Sequence, residues 1–138
     1  MTDKEKFQSY KEKMLRENEE NFGEEIRKKY GEAAVAASHR KFKNMTLEQG
    51  KEVEELSHKL NHLLREAFEQ GNPAGKNAQE VCALHKKWLG YFWDSYSKEA
   101  HKGLAQMYVD DPRFAKYYDI IAPGCARFLR DAILIFCQ

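Results

Sequence analysis

The sequence has only three cysteines, Cys82, Cys125 and Cys137, an odd number with no CxxC spacing. That excludes a disulfide framework and points to a reduced, cytosolic chain. Net charge is missing too, since 23 Lys plus Arg stand against 22 Asp plus Glu. Without a basic surplus there is no electrostatic footprint for nucleic acid, so this chain alone is not expected to bind DNA. No apolar run reaches the ~20 residues that span a bilayer, and the opening MTDKEKF is charged rather than signal-like. Glycine-rich phosphate loops, GxSxG and HExxH are all absent, which leaves nucleotide-phosphate, serine-nucleophile and zinc-protease chemistry without their residues. β-Branched residues are few while Glu, Lys, Ala and Leu abound, so the expected fold class is all-α. At 138 residues one domain can build its core without metal or disulfide staples.

What the chain has in quantity is rings. Ten of its aromatic residues fall between Val81 and Asp119 or within ten residues after, with His85 and His101 among them. Such density exceeds the need of a small helical core and suggests a wall for a flat or greasy ligand. The two halves differ: residues 1–70 hold 29 of the 45 charged residues but 6 aromatics, against 11 aromatics in residues 71–138. Residues 1–43 therefore read as amphipathic helices that dock by a narrow stripe, loosen in the empty protein and close as a lid. Residues 44–138 read as the helical core.

Phe7, Tyr10, Met14, Phe22, Ile26 and Tyr30 recur at helical steps, predicting one long or slightly broken helix from Lys4 to Tyr30, ended by Gly31 as a left-handed cap. A short helix follows over Ala33 to Phe42. Thr46 and Gln49 form a capping box before a stripe of Val53, Leu56, Leu60, Leu63 and Ala67. After the Gly71–Gly75 loop, Asn77 is placed to cap a helix through Val81, Leu84, Trp88 and Phe92. Ser97 and Asp111-Pro112 open two more, Pro123-Gly124 breaks the second, and residues 125–136 form the last. Seven or eight helices with short joins, crossing around a central space, predict a globin-like or orthogonal bundle.

Each candidate constellation has a plain reading beside it. His58 and His62 have the spacing of a two-histidine metal site, but they fall on the outward face beside Glu54, Glu55 and Glu66 and read as solvated surface, so no metal is expected. Three side chains, His85, Trp88 and Phe92, form a ladder on one face, with His85 lining a ligand or serving as a hydrogen-bonded core residue. The following helix presents His101 and Tyr108 at a two-turn spacing, and the two faces are expected to enclose a ring-walled cleft. Phe114, Tyr117 and Tyr118 face the same region or its back. Haem ligation by His85 is weaker, because tryptophan and tyrosine replace the aliphatic slot it needs. Cys82, three residues before His85, lacks an acidic partner and oxyanion donors. These residues spell a small-molecule binding module rather than an enzyme, with no cofactor. A haem carrier or a protein-interaction module with a flat aromatic face are the competing classes.

The run LAQMYVDDPRFAKYYDIIAPGCARFLRDAI, Leu104 to Ile133, resembles the signature of the TipAS-type, thiostrepton-recognition domain of MerR-family transcriptional activators. FGEEIRKKYG (Phe22–Gly31), FKNMTLEQ (Phe42–Gln49) and HKKWL (His85–Leu89) fit in order, so the likeness covers roughly residues 20–137. It implies one all-helical, globin-like domain over residues 1–138 with a deep hydrophobic cleft for cyclic peptide antibiotics and other varied drugs. Carried over by position, the cleft-lining residues are His85, Trp88, Phe92, Tyr96, His101, Tyr108 and Tyr118. Relatives carry a winged helix-turn-helix and a coiled coil ahead of this domain, for which there is no room before Phe22. The chain is accordingly expected to be an excised sensor or a free-standing drug trap, monomeric without the coiled coil. Covalent capture by family members uses a cysteine near the cleft, and none lies between Phe92 and Tyr108, so binding is expected to be reversible.

Overall fold

Thr2 starts the first helix. Its backbone is extended and its hydroxyl accepts from the Glu5 N–H at 3.1 Å, capping α1 (Asp3–Tyr30). The computed structural model describes all 138 residues, Met1–Gln138. The remaining helices are α2 (Glu32–Lys43), α3 (Leu47–Gln70), α4 (Lys76–Leu89), α5 (Lys98–Asp110), α6 (Pro112–Asp119) and α7 (Cys125–Phe136), seven in all and no strand. None is long and apolar enough to cross a membrane. The chain divides into two units, Met1–Glu54 with Leu89–Ser95, and Glu55–Trp88 with Tyr96–Gln138.

In the first unit α1 is unbroken, and α2 packs against it. Gly31 ends α1 at φ 87°, ψ 154°, so its positive φ is as expected but its ψ takes it out of the left-handed helical region into one that only glycine readily enters. The buried face of α1 also departs from the apolar pattern: Tyr10 is 53% exposed and Lys11 is 4% exposed. The reason is hydrogen bonding. Lys11 Nζ donates to the carbonyls of Lys43 at 2.7 Å and Met45 at 2.8 Å, filling acceptors that the end of α2 leaves open. The capping box is as read: Gln49 N–H donates to Thr46 Oγ1 at 3.1 Å, and Thr46 N–H to Gln49 Oε1 at 2.9 Å.

The second unit holds the main core, built from Leu60, Leu64, Ala67, Val81, Leu129 and Ile133 with their neighbours. On α3 it is Leu64, not Leu63, that is fully buried, so the inward stripe runs Leu56, Leu60, Leu64, Ala67. Asn77 is not the cap of α4. Gly75 accepts the first helical bond from Gln79 at 2.9 Å, and the helix begins at Lys76. Ser97 and Asp111 cap α5 and α6 as expected, accepting from Ala100 N–H at 3.0 Å and Arg113 N–H at 2.9 Å. α6 ends at Asp119, before Pro123 is reached, and the Asp119 carboxylate accepts from Ala126 N–H at 3.0 Å in the first turn of α7. α5, α6 and α7 pack on one another.

Candidate functional site

Within the second unit, five polar side chains fall into one line: His85 of α4, His101 and Tyr108 of α5, Tyr96 just before α5 and Cys137 just after α7. His85 Nε2 lies 3.0 Å from Tyr108 Oη, and His85 Nδ1 lies 2.8 Å from His101 Nε2. His101 Nδ1 lies 2.7 Å from Tyr96 Oη, and Cys137 Sγ stands 3.6 Å from the same nitrogen. Helical spacing does this: His101 and Tyr108 are two turns apart on α5, and their interval is bridged by one imidazole from α4. Tyr118 of α6 closes the line, its ring centroid 4.8 Å from that of Tyr108.

Both imidazoles are neutral. Burial pulls His85 down to about 3, helped by the facing His101, and pulls His101 down to about 4, helped by the Lys86 ammonium. A neutral imidazole has one N–H and one lone pair, so whichever of the two rings donates across the 2.8 Å contact fixes the tautomer of the other. Tyr96 and Tyr108 must then orient their hydroxyls to suit. The line is a single coupled switch with two directions of donation, not five independent contacts.

The same geometry decides two earlier questions. Both nitrogens of His85 are engaged, which leaves none for a haem iron. The Cys82 thiol is buried and pushed up to about 12 by burial and by Cys137, and His85 spends its nitrogens elsewhere, so no thiolate–imidazole pair forms. His58 and His62 lie on the exposed side of α3, His62 beside Glu66 at 3.3 Å, and no group of three His, Cys, Asp or Glu is placed to hold a metal.

Of the seven residues singled out by sequence, His85, His101, Tyr108 and Tyr118 are buried and turned on one another. Trp88 and Tyr96 are half-buried: Trp88 stacks on His85 with centroids 5.6 Å apart, and Tyr96 stands edge-on to His101 beneath the Lys86 ammonium. Phe92 is not the third rung of a ladder. α4 stops at Leu89, and the N–H groups of Phe92 and Trp93 both bond back to the Leu89 carbonyl. Gly90 then releases the chain, and Phe92 belongs to the first unit, its ring 5.8 Å from Phe42.

Around it, sequence reading missed a second cluster. Lys41 Nζ donates to the carbonyls of Gly90 and Trp93, the latter at 2.9 Å, and Tyr91 Oη donates to Glu52 at 2.8 Å. Tyr30 lies 6.4 Å from Trp93. The available signal was the run Gly90-Tyr91-Phe92-Trp93, three successive rings behind a glycine, which no single helix face can bury.

The model of the TipAS antibiotic-recognition domain matches residues 22–136. The HTH-type transcriptional activator TipA of Streptomyces coelicolor is 28% identical over 117 residues, 83% of this chain and 46% of that protein. The HTH-type transcriptional regulator SkgA of Caulobacter vibrioides is 26% identical over 123 residues, 86% of this chain and 46% of its own length. The chain thus spans about half the length of the curated relatives it matches. Among solved structures, TipAS of Streptomyces lividans in complex with nosiheptide, from a thiopeptide antibiotic multidrug resistance system, matches with a TM-score of 0.65 and 27% identity, covering 86% of this chain and 85% of that one. The all-α, globin-like class implied by the resemblance is the class observed. The match over residues 22–136 takes in all seven site candidates and most of the second unit, and the chain belongs to the TipAS antibiotic-recognition domain family.

Proposed function

We propose that the chain is an effector-binding domain that takes up hydrophobic antibiotics reversibly, thiopeptides among them, as the sensor of a MerR-type activator or as a sequestrant. The family match over residues 22–136 carries this reading, together with the likeness to a relative solved with nosiheptide. Residue chemistry supports it. Trp88 and Tyr96 keep exposed ring surface, and the buried His85–His101–Tyr108 line behind them fixes their rotamers without offering a charge. Stacking on held rings tolerates ligands of differing chemistry, whereas an array of hydrogen bonds does not. His85, His101, Tyr108 and Tyr118 would thus shape the site from below.

Reversibility fits the thiols, since Cys82, Cys125 and Cys137 are all free and buried. The residues present no activated nucleophile or tuned acid, so the chain acts by binding rather than by catalysis. Its balanced charge argues against DNA binding by this domain alone, in a cytoplasmic, monomeric setting. Calorimetric titration of nosiheptide into the purified chain tests the reading. Saturable binding with release of intact antibiotic on denaturation is expected; absence of binding, or a covalent adduct by mass spectrometry, would overturn it.

A further inference from the structure

One buried side-chain oxygen has no hydrogen-bond partner within the protein. Tyr30, the last residue of α1, encloses its hydroxyl in the first unit, and Tyr30 Oη alone among the buried side-chain nitrogens and oxygens lacks a hydrogen-bond partner. A buried donor without an acceptor is a standing cost to the fold and calls for a reason. We propose that Tyr30 is a ligand anchor: its hydroxyl donates to an acceptor of the bound antibiotic, and the rings beside it form a subsite for a flat apolar moiety carrying that acceptor.

The surroundings fit this role. Tyr30, Phe42, Phe92 and Trp93 are all half-buried, so each keeps ring surface for a ligand while its base is held. Trp93 lies 6.4 Å from Tyr30 at an interplanar angle of 50°, and Phe42 lies 5.8 Å from Phe92 at 37°, neither pair closing into a flat stack. The backbone bearing Phe92 and Trp93 is fixed by Lys41, which donates to the Gly90 and Trp93 carbonyls, and by the Tyr91–Glu52 bond. Phe92 and Trp93 thus stand on a held backbone, against which Tyr30 can close on a ligand.

The chemistry of the ligand group follows from the donor. Burial pushes the Tyr30 phenol up to about 12, so it is an O–H at every physiological pH and needs an acceptor. The Lys29 ammonium, 5.8 Å from the Tyr30 ring centroid, favours an electron-rich group there over a second donor. An amide carbonyl of a cyclic peptide antibiotic meets both conditions. Because Tyr30 is followed by Gly31 at φ 87°, a ligand bonded to it would also pin the corner between α1 and α2.

This inference rests on the antibiotic-binding reading, and one experiment separates the two. Nosiheptide is titrated into the full chain and into Tyr30→Phe and Tyr10→Phe, the latter altering an exposed phenol. The melting temperature of each empty protein is measured alongside. Tyr30→Phe should weaken binding about tenfold, the worth of one net hydrogen bond. The same change should leave the melting temperature equal or higher, because an unsatisfied hydroxyl has been removed. Tyr10→Phe should change neither. Unaltered affinity in Tyr30→Phe would mean that water serves the hydroxyl and would sink the anchor while leaving the antibiotic reading intact. A lowered melting temperature would reveal an internal partner and sink it equally. No binding by the unaltered chain would remove both.

Discussion

His85 and His101 face each other ring to ring, their planes 10° apart and Nδ1 of one 2.8 Å from Nε2 of the other. Double protonation would point N–H at N–H inside the core, and burial disfavours even a single charge on the pair. Lys86, near enough to depress His101, adds to the penalty, while burial pushes the Tyr96 phenol up, so it supplies no negative charge at neutral pH to offset it.

Stability should therefore fall on mild acidification. The folded pKa values, about 3 for His85 and about 4 for His101, lie below the ordinary value of 6.5, so unfolding takes up protons. The stability tied to neutrality is complete above pH 6.5 and is lost as pH falls from there towards 4. Each histidine contributes a slope of about 1.4 kcal/mol per pH unit in that window. Urea midpoints at pH 7.5, 6 and 5 measure it. A flat profile would contradict the buried pair.

Lys11 should matter more than an ordinary helix-surface lysine. Its ammonium serves two carbonyls, those of Lys43 and Met45, and sits 4.9 Å from the Phe7 ring centroid. Lys11→Met keeps the aliphatic stem but leaves both acceptors unserved, and should cost about 1–3 kcal/mol. Hydrogen exchange should show the N-terminal half of α1 losing protection first. In the unaltered chain, where residues 1–43 are expected to loosen without ligand, nosiheptide should raise their protection.

Much of this was legible in the sequence because local chemistry decided it. Thr46 with Gln49, Ser97, and Asp111 with Pro112 mark helix starts by hydrogen bonds within three residues, and the structure makes those bonds. The family signature likewise lay in consecutive residues. What failed were features that depend on a distant partner. Lys11 is buried because the end of α2 needs a donor, which no periodicity in α1 can announce. Phe92 fits the period of α4, yet the helix stops at Leu89, ahead of Gly90 and two further rings that Lys41 and Glu52 hold. His85 and His101 share a face pattern with a cleft wall, but only the tertiary fold turns their polar tips toward each other.

Gly50 should resist even alanine. It lies in the first turns of α3, where alanine would ordinarily add helix stability of up to about 1 kcal/mol. A Cβ there would come within 2.5 Å of the Phe7 ring. The ring must swing out, and giving up its burial costs about 1–2 kcal/mol, which outweighs the gain. Gly50→Ala should thus lower stability and increase exchange around Phe7. In a Phe7→Ala background the same change should become neutral or stabilising. Additive effects of the two substitutions would show that the ring does not rest on Gly50.

Trp88 gives the sharpest test of the ligand surface in the second unit. It is half-buried, with one face stacked on His85 at 27°. If the other face receives the antibiotic, Trp88→Ala should reduce nosiheptide affinity by about 1–3 kcal/mol, the scale of a buried aromatic contact. Trp88→Phe, which keeps a ring over the imidazole, should recover most of that loss. Were Trp88 simply a cover for the buried histidines, its removal would admit water to His85. The melting temperature would then drop and the acid slope would soften, while the folded fraction bound ligand as before. Affinity, melting temperature and the pH profile move together in neither case, so measuring all three on Trp88→Ala and Trp88→Phe assigns the indole. Unchanged affinity in folded Trp88→Ala would leave Tyr96 as the remaining half-exposed ring on that line and move the search to it.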